Sequence, residues 1–183
     1  MNEIDLIAAS KAISRVLRHR PGAAGVALDA HGWCPVAELL AGLARGGVAL
    51  SREQLEEIVQ TSDKQRFALS DDGLCIRANQ GHSVGGVNLQ LREKTPPSRL
   101  FHGTVATNLP GIEKKGLLPM NRHHVHLSPD VATAAAVGSR RGVPVILEVD
   151  AHHMHRDGVK FQVSENGVWL VGAVPPKYVR RVS

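Results

Sequence analysis

Apolar side chains recur at helical spacing at the start of the chain. Between Ile4 and Leu17 their spacing is roughly that of one helix face, and Pro21-Gly22 then interrupts the pattern. This spacing predicts a helix over residues 3–19. The stretch SRVLRHRPG, at the end of this helix, is rich in Arg and His.

Short apolar runs alternate with turn residues through the rest of the first half. Ser51 suits a helix N-cap because Gln54, three residues later, completes a capping box. Asp71-Asp72-Gly73 separates two apolar runs, as in a β-hairpin. The predicted elements are a strand at Val26–Leu28, a turn at His31-Gly32, a helix from Pro35 to Leu43, a helix from Ser51 to Gln60 and hairpin strands around Phe67–Leu69 and Leu74–Ile76. This order is that of a winged helix-turn-helix.

The second half is richer in strand patterns. VPVILEVD is a run of branched apolar residues, and Glu165-Asn166-Gly167 is predicted to turn between the strands of FQVSENGVWLV. HHVHLS is predicted as a strand, and SPD as the cap of an Ala-rich helix over 130–137. A glycine-rich and then charged segment separates the halves. We therefore predict an α+β protein with lobes at 1–90 and 99–183 and a linker at 91–98.

Composition favours an anionic partner. The 183 residues carry a formal charge of +5, and nucleic acid is the first candidate for a basic chain of this size. Aromatic residues make up only 3%, so we expect contacts to phosphates rather than rows of rings stacked on bases.

The sequence contains no apolar run of membrane-spanning length and no signal-peptide pattern near its start. Its two cysteines, Cys34 and Cys75, form no CxxC motif. One disulfide stays possible, but two cysteines in a chain of this length favour reduced, buried thiols. We expect a cytoplasmic monomer with no membrane partner.

Histidine is the unusual residue type. A strand would place His124 and His126 on one face and His123 on the other, and two imidazoles on one face could bind zinc. No Cys, Asp or Glu lies in that strand to complete a ligand set, so hydrogen-bonded histidines are an equally good interpretation and we expect no metal. The second cluster, AHHMHRDG, is predicted as a solvated loop.

Common nucleotide and hydrolase motifs do not occur. The sequence has no GxxxxGK[ST] loop, no strand–GxGxxG–helix and no GxSxG elbow. LFHGT is predicted to place His102 and Thr104 at a strand end, where Gly103 allows close backbone approach to a ligand. Arg66 begins a predicted strand, and a surface position is the default interpretation for it.

The cations of SRVLRHRPG have two interpretations. Cations near a helix C-terminus are stabilised by the helix dipole, by about 0.3–1 kcal/mol each. The alternative is that they bind an anion. The helix end alone does not decide between the two.

The chain contains, in this order, the stretches LRHRP, RFAL, IRANQGHS, LFHGT, GLLPMNRHHVHLS and NGVWLVGAVPPKYV. Together they closely resemble the RNA 2′-phosphotransferase family, the KptA-type tRNA 2′-phosphotransferases. The resemblance extends from about Ser10 to Tyr178, and IRANQGHS and MNRHHVHLS are long, specific motifs. It implies a winged-helix lobe that binds RNA, joined to an ADP-ribosyltransferase-like lobe that binds NAD⁺.

The resemblance also implies a two-step reaction on tRNA of the splice-junction type. An internal RNA 2′-phosphate attacks C1″ of NAD⁺ and expels nicotinamide, and the ribose O2″ then attacks the phosphorus. The products are RNA with a free 2′-hydroxyl and ADP-ribose 1″,2″-cyclic phosphate. Guanidinium groups suit this chemistry because they grip phosphate in bidentate fashion without losing their charge.

Site residues follow from the resemblance motif by motif. The catalytic, phosphate-handling set is Arg18, His19, Arg66 and Arg122. The NAD⁺-binding set is His102, Gly103, Thr104, His126 and Ser128. The substrate-binding set is Arg20, Asn79, Gln80, His82 and Ser83. Val168 stands where many ADP-ribosyltransferases have a Glu, which is reasonable where O2″ must stay free as a nucleophile.

Other classes of function are compatible with parts of the sequence. One is a nucleic-acid ADP-ribosyltransferase that stops after the first step, for example on a terminal phosphate. Another is a winged-helix nucleic-acid binder without catalysis, which leaves MNRHHVHLS unexplained. A metal hydrolase that uses the histidine cluster is the weakest of the four.

Overall fold

The computed structural model describes residues 3–62 and 65–182 of the chain. The chain divides into two compact units, Met1–Gln90 and Leu91–Ser183. Helices and several antiparallel sheets make up both units, so the fold is of mixed α and β type.

The first unit combines three helices with one small sheet. Antiparallel pairing of Phe67 with Ala78 and of Cys34 with Ile76 gives a strand order of β1-β3-β2. The helices are α1 (Glu3–Arg18), α2 (Val36–Arg45) and α3 (Arg52–Thr61), and the strands are β1 (Cys34–Pro35), β2 (Phe67–Leu69) and β3 (Cys75–Ala78).

Apolar side chains from all three helices and from the sheet form the core of this unit. Ile13 and Leu17 of α1, Leu39 of α2, Leu55 of α3 and Ile76 of β3 are fully buried in one cluster. Ile13 and Leu17 are four residues apart and therefore share a helix face. The core thus fixes how α1 is rotated and where its C-terminal residues lie.

The second unit contains two antiparallel sheets and three helices. One sheet has the order β10-β7-β5 and the other the order β4-β8-β9-β6. The helices are α4 (Leu109–Lys115), α5 (Val131–Gly138) and α6 (Ala151–Arg156). The strands are β4 (Arg92–Glu93), β5 (Leu100–Val105), β6 (Val125–Leu127), β7 (Pro144–Val149), β8 (Gln162–Val163), β9 (Trp169–Val171) and β10 (Val179–Arg181).

A backbone bridge joins the two sheets of this unit. Phe101 and Ser128 exchange both of their N–H···O hydrogen bonds, at 2.8 and 2.7 Å. Leu100 of β5 and Leu127 of β6, the residues beside this bridge, are buried in the same core cluster. The bridge therefore sets the strand β5 beside the end of β6.

Most of the predicted elements are confirmed. Ser51 caps α3, and the reciprocal bonds with Gln54 complete the capping box. Asp130 caps α5 by accepting a hydrogen bond from the Thr133 N–H. The predicted helix at the start, the helix after Pro35, the turn at His31-Gly32, both hairpins and the strand in VPVILEVD are also present.

Two predicted elements are wrong. Val26–Leu28 is not a strand, because Val26 is buried against the core by a turn in which its N–H donates to the Pro21 carbonyl. AHHMHRDG is not a loop: it forms α6, whose N-terminus Asp150 caps and whose Ala151 and Met154 are buried. The histidines that were predicted to lie in a solvated loop lie on the exposed face of this helix.

The segment predicted as a linker, 91–98, contains the strand β4. Arg92 pairs with Val163 and Glu93 with Gln162, so this stretch is hydrogen-bonded into the second unit. Cys34 and Cys75 are both free thiols, and burial raises the pKa of the Cys34 thiol to about 12. Among the described residues, no helix has the length and apolarity needed to cross a membrane.

Gly42 allows α2 to approach the Pro21–Ala24 turn. A Cβ at position 42 would lie 2.4 Å from the Ala24 carbonyl oxygen, closer than side chains reach. We expect Gly42→Ala to lower the free energy of unfolding by about 1–3 kcal/mol despite the better helix propensity of alanine. Urea denaturation followed by circular dichroism measures this.

The matched control for this prediction is Gly22→Ala. Gly22 belongs to the turn that Gly42 contacts, and a Cβ there would meet nothing within 4 Å. This variant should be as stable as the parent or slightly more stable. Equal stability of both variants would mean that the contact is not tight in solution.

Candidate active site

The end of α1 is held by a distant loop. The Ser83 N–H donates to the Arg18 carbonyl at 2.9 Å, and Nδ1 of His19 lies 2.9 Å from the Ser83 hydroxyl. Arg18 is half-buried and His19 is exposed. The first two residues of the predicted catalytic set are therefore fixed by a residue of the predicted substrate-binding set.

Arg66 joins the same cluster through its backbone. Its carbonyl accepts a hydrogen bond of 3.0 Å from the Asn79 N–H and a longer one of 3.5 Å from Nη2 of Arg18. Its own Nη1 donates to the Ser62 hydroxyl at 3.2 Å. The Asn79 side chain donates to the Gln65 carbonyl at 2.6 Å, which fixes the approach to β2.

The NQGHS loop, residues 79–83, contains buried polar side chains. Asn79 and His82 are 7% and 2% exposed, whereas Gln80 is half-buried and Ser83 is exposed. Burying polar side chains costs free energy unless they are hydrogen-bonded, so two of them in one loop indicate a functional role. Arg20 is exposed just after α1, and among the residues that the structure describes no side-chain hydrogen bond ties it to this cluster.

His102, on β5, has a defined tautomer. Its Nδ1 lies 3.0 Å from the His126 carbonyl oxygen, which can only accept, so Nδ1 carries the proton and Nε2 is left as an acceptor when the ring is neutral. Burial lowers the pKa of His102, and the nearby charges of Arg141 and Arg122 lower it further. The imidazole is thus held neutral.

Arg122 and His126 are paired. Nη1 of Arg122 donates to Nδ1 of His126 at 3.1 Å, so this nitrogen is the acceptor and the neutral His126 ring carries its proton on Nε2. Desolvation by the surrounding protein lowers the pKa of Arg122, followed in size by repulsion from Arg141 and Arg140. Three cations therefore act on one another near His102, an arrangement that an anion would stabilise.

Sequence reasoning missed Arg140, Arg141 and Asn108. The two arginines lie in the short 3₁₀ turn Ser139–Arg141 after α5. The sequence feature that could have indicated them is a pair of arginines directly after an Ala-rich helix. The Asn108 side chain donates to the Thr104 hydroxyl at 3.1 Å, and Thr104 is buried. Nothing in the sequence near Asn108 indicates this contact.

Gly103 has a packing role that the sequence did not predict. It lies inside β5 rather than at a strand end, and a Cβ there would lie 1.8 Å from the Ala134 carbonyl oxygen of α5. The glycine therefore allows β5 to approach α5, and its part in binding NAD⁺ stays a prediction. Ser128, also in the predicted NAD⁺ set, is positioned by its bridge to Phe101.

The histidine-rich segments form no metal centre in the described part of the chain. No group of three or more His, Cys, Asp or Glu side chains is placed to hold an ion there. In α6, the His153 ring instead pairs with the capping Asp150 at 2.8 Å. The independence of the activity from metals stays a prediction.

Comparison with known proteins agrees with this placement of the motifs. A family model described as RNA 2′-phosphotransferase, Tpt1 / KptA family, matches residues 5–173. The chain belongs to this family. The resemblance inferred from the motifs is thereby confirmed.

Several curated relatives carry the name probable RNA 2′-phosphotransferase. One from Burkholderia pseudomallei is 55% identical over 94% of this chain and 93% of its own. One from Rhodopirellula baltica is 53% identical over 95% of each chain, and one from Nostoc punctiforme is 46% identical over 100% of each. Membership supports an enzyme of the transferase class that removes a 2′-phosphate from RNA.

The lowered pKa of His102 predicts acid sensitivity of the second unit. Between the folded-state pKa and the ordinary value of 6.5, the unfolded chain binds a proton that the folded chain does not. Stability should therefore be complete above about pH 6.5 and fall as the pH drops below it. Titration of the His102 ring resonance by NMR should give a midpoint below 6.5.

Arg141→Gln is the control for the electrostatic part of this shift. Removing the cation should move the His102 midpoint back toward 6.5, because Arg141 disfavours a second positive charge. A midpoint at or above 6.5 in the parent protein would contradict the neutral state assigned to this ring.

Proposed function

We propose that this chain transfers an internal RNA 2′-phosphate to NAD⁺, with release of nicotinamide and of ADP-ribose 1″,2″-cyclic phosphate. The observation that supports this most is the hydrogen-bonded cluster of Arg18, His19 and Arg66 in a chain of the RNA 2′-phosphotransferase family. NAD⁺ is a substrate of this reaction, and tRNA of the splice-junction type is the proposed RNA.

The two units have separate tasks in this proposal. Met1–Gln90 serves as a winged-helix lobe for RNA, supported by its helix–helix–hairpin order. Leu91–Ser183 serves as an ADP-ribosyltransferase-like lobe for NAD⁺, supported by its two antiparallel sheets. The free thiols of Cys34 and Cys75 agree with a reducing compartment, and we take the protein to act as a cytoplasmic monomer.

Arg18, Arg66 and Arg122 are proposed to bind the 2′-phosphate. Guanidinium groups keep their charge when desolvated and present paired N–H donors to phosphate oxygens. His19 is proposed to donate a proton to a phosphate oxygen, as an imidazole placed beside a reacting group can. Arg20 is proposed to contact the RNA backbone.

The donor set of the second unit fits NAD⁺. Buried Thr104, neutral His102 and the backbone around Ser128 can hold the nicotinamide riboside, whose ring is cationic and gains nothing from a charged imidazole. Arg140 and Arg141 supply positive charge suited to the diphosphate. Position 168 is a valine and not a carboxylate, which suits a reaction in which the ribose O2″ must act as a nucleophile.

The proposed chemistry balances in two displacements. An oxygen of the RNA 2′-phosphate forms a bond to C1″, the C1″–N bond breaks, and nicotinamide leaves with the electron pair. O2″ then bonds to phosphorus, loses its proton, and the bond from phosphorus to the RNA 2′-oxygen breaks as that oxygen gains a proton. Negative charge spreads over the phosphoryl oxygens in this second transition state, where fixed cations stabilise it most.

The function is tested with a 2′-phosphorylated RNA oligonucleotide. With NAD⁺ we expect 2′-hydroxyl RNA, nicotinamide and the cyclic phosphate of ADP-ribose, each identified by mass, and without NAD⁺ no turnover. The activity should be unchanged in EDTA, because the described residues form no metal-binding group. RNA that retains ADP-ribose as the final product would favour the ADP-ribosyltransferase alternative, and EDTA-sensitive turnover would show a metal requirement.

Arg18→Ala should slow the second step more than the first. The first step needs the phosphate only as a nucleophile, whereas the second develops the charge that Arg18 stabilises. Loss of a charged hydrogen bond costs about 1.5–3 kcal/mol, so the second step should slow by roughly 10- to 150-fold and ADP-ribosylated RNA should accumulate. A gel time course of end-labelled RNA resolves the three species.

Two further variants control this experiment. Arg18→Lys should restore the rate only in part, because an ammonium does not reproduce the paired donors of Arg18. Lys11→Ala removes an exposed cation from the same helix and should leave both steps unchanged. If Arg18→Ala slows both steps equally and no intermediate accumulates, Arg18 acts in binding alone.

A further inference from the structure

An exposed apolar side chain lies next to Arg122. The loop between Leu117 and Val125, here called the 118–124 loop, presents Met120 with 84% of its surface exposed and Leu118 with 46%. Both are among the large apolar residues that the fold leaves in solvent. Met120 is two positions from Arg122, so their Cα atoms are within about 7 Å of each other.

Both ends of the 118–124 loop are anchored. Leu117 and Val174 exchange two backbone hydrogen bonds of 2.9 Å, and Leu117 is buried. At the other end Val125 pairs with Val171 of β9 and is also buried. Met120 is therefore exposed in a loop whose two ends are hydrogen-bonded to the rest of the unit, and not at a frayed chain end.

The backbone at Met120 favours a different residue. The Arg122 N–H donates to the Pro119 carbonyl at 3.0 Å, which closes a turn in which Met120 is the second residue, with φ of +56°. Glycine is favoured at such a position, and a long side chain there is strained. Neither burial nor turn geometry accounts for a methionine at position 120.

The aromatic residues do not offer a surface for a base. All six Phe, Trp and Tyr side chains are buried or half-buried, and two of the half-buried rings are covered by cations. Arg77 lies over the Trp33 ring at 4.5 Å and Lys177 over the Tyr178 ring at 4.6 Å. Phe101 is the remaining half-buried ring, so the most exposed apolar groups that could contact a nucleobase are aliphatic or thioether side chains.

We propose that Met120 contacts the nucleobase of the 2′-phosphorylated nucleotide while Arg122 binds its phosphate. This inference rests on the proposed phosphate-binding role of Arg122. The base and the 2′-phosphate are attached to one ribose, so two side chains two positions apart can meet both. A thioether sulfur packs well against an aromatic ring, and every base offers such a face, so the contact tolerates any base.

The test is equilibrium binding without NAD⁺. Met120→Gly and Met120→Leu are compared with the parent protein on two labelled oligonucleotides, one intact and one abasic at the 2′-phosphorylated nucleotide. Met120→Gly should weaken binding of the intact RNA by about two- to tenfold, as expected for one thioether–ring contact, and Met120→Leu should restore most of it. On the abasic RNA the parent and Met120→Gly should bind equally.

Gln90→Gly is the matched control. Gln90 is also exposed and also has a positive φ, +49°, so its replacement relieves the same type of strain in the other unit of the chain. It should leave binding of both RNAs unchanged. Both glycine variants should be at least as stable as the parent in urea, which separates a lost contact from a damaged fold.

Two results would overturn the assignment. If Met120→Gly weakens the intact and abasic RNAs by the same factor, Met120 does not contact that base. If Met120→Gly raises the KM for NAD⁺ and leaves RNA binding unchanged, the side chain faces the dinucleotide instead. Because binding is measured without NAD⁺, the proposed transfer reaction can fail while the result for Met120 still stands.

Discussion

One carbonyl oxygen joins the residues of the first unit that we propose to bind phosphate. The Arg66 carbonyl accepts from the Asn79 N–H and from the Arg18 guanidinium, so the start of β2, the NQGHS loop and the end of α1 meet there. The Ser83 N–H on the Arg18 carbonyl closes the arrangement. These bonds restrain Arg18 in the free protein, so binding of the proposed phosphate would not have to order this side chain.

In the second unit, the proposed anion site combines neutral histidines with neighbouring arginines. The backbone carbonyl of His126 sets the tautomer of His102, and the Arg122 guanidinium sets that of His126. Arg140 and Arg141 disfavour any further positive charge at this place. These charges would stabilise an anion, and the neutral His102 ring keeps Nε2 as an acceptor for the proposed NAD⁺.

Local signals predicted the elements well where one residue decides the outcome. The capping box of Ser51 and the cap at Asp130 require only a few neighbouring residues, and both are present. The two predictions that failed concern burial. Val26 has the alternating pattern of a strand residue, but it is buried in a segment without regular secondary structure. The segment that forms α6 was predicted as a loop because its histidines outnumber its two buried apolar residues, Ala151 and Met154. Which apolar residue is buried depends on elements far away in sequence.

The sequence alone determined the family, because the motifs that carry it are contiguous stretches such as IRANQGHS and MNRHHVHLS. It also singled out most of the clustered residues, since a long motif names its members without reference to space. Only the tertiary structure decided that Gly103 serves the approach of α5, that Arg141 acts on His102, and that Asn108 supports Thr104. Close approach, electrostatic repulsion and side-chain hydrogen bonds depend on distances between elements, and residue order does not contain those distances.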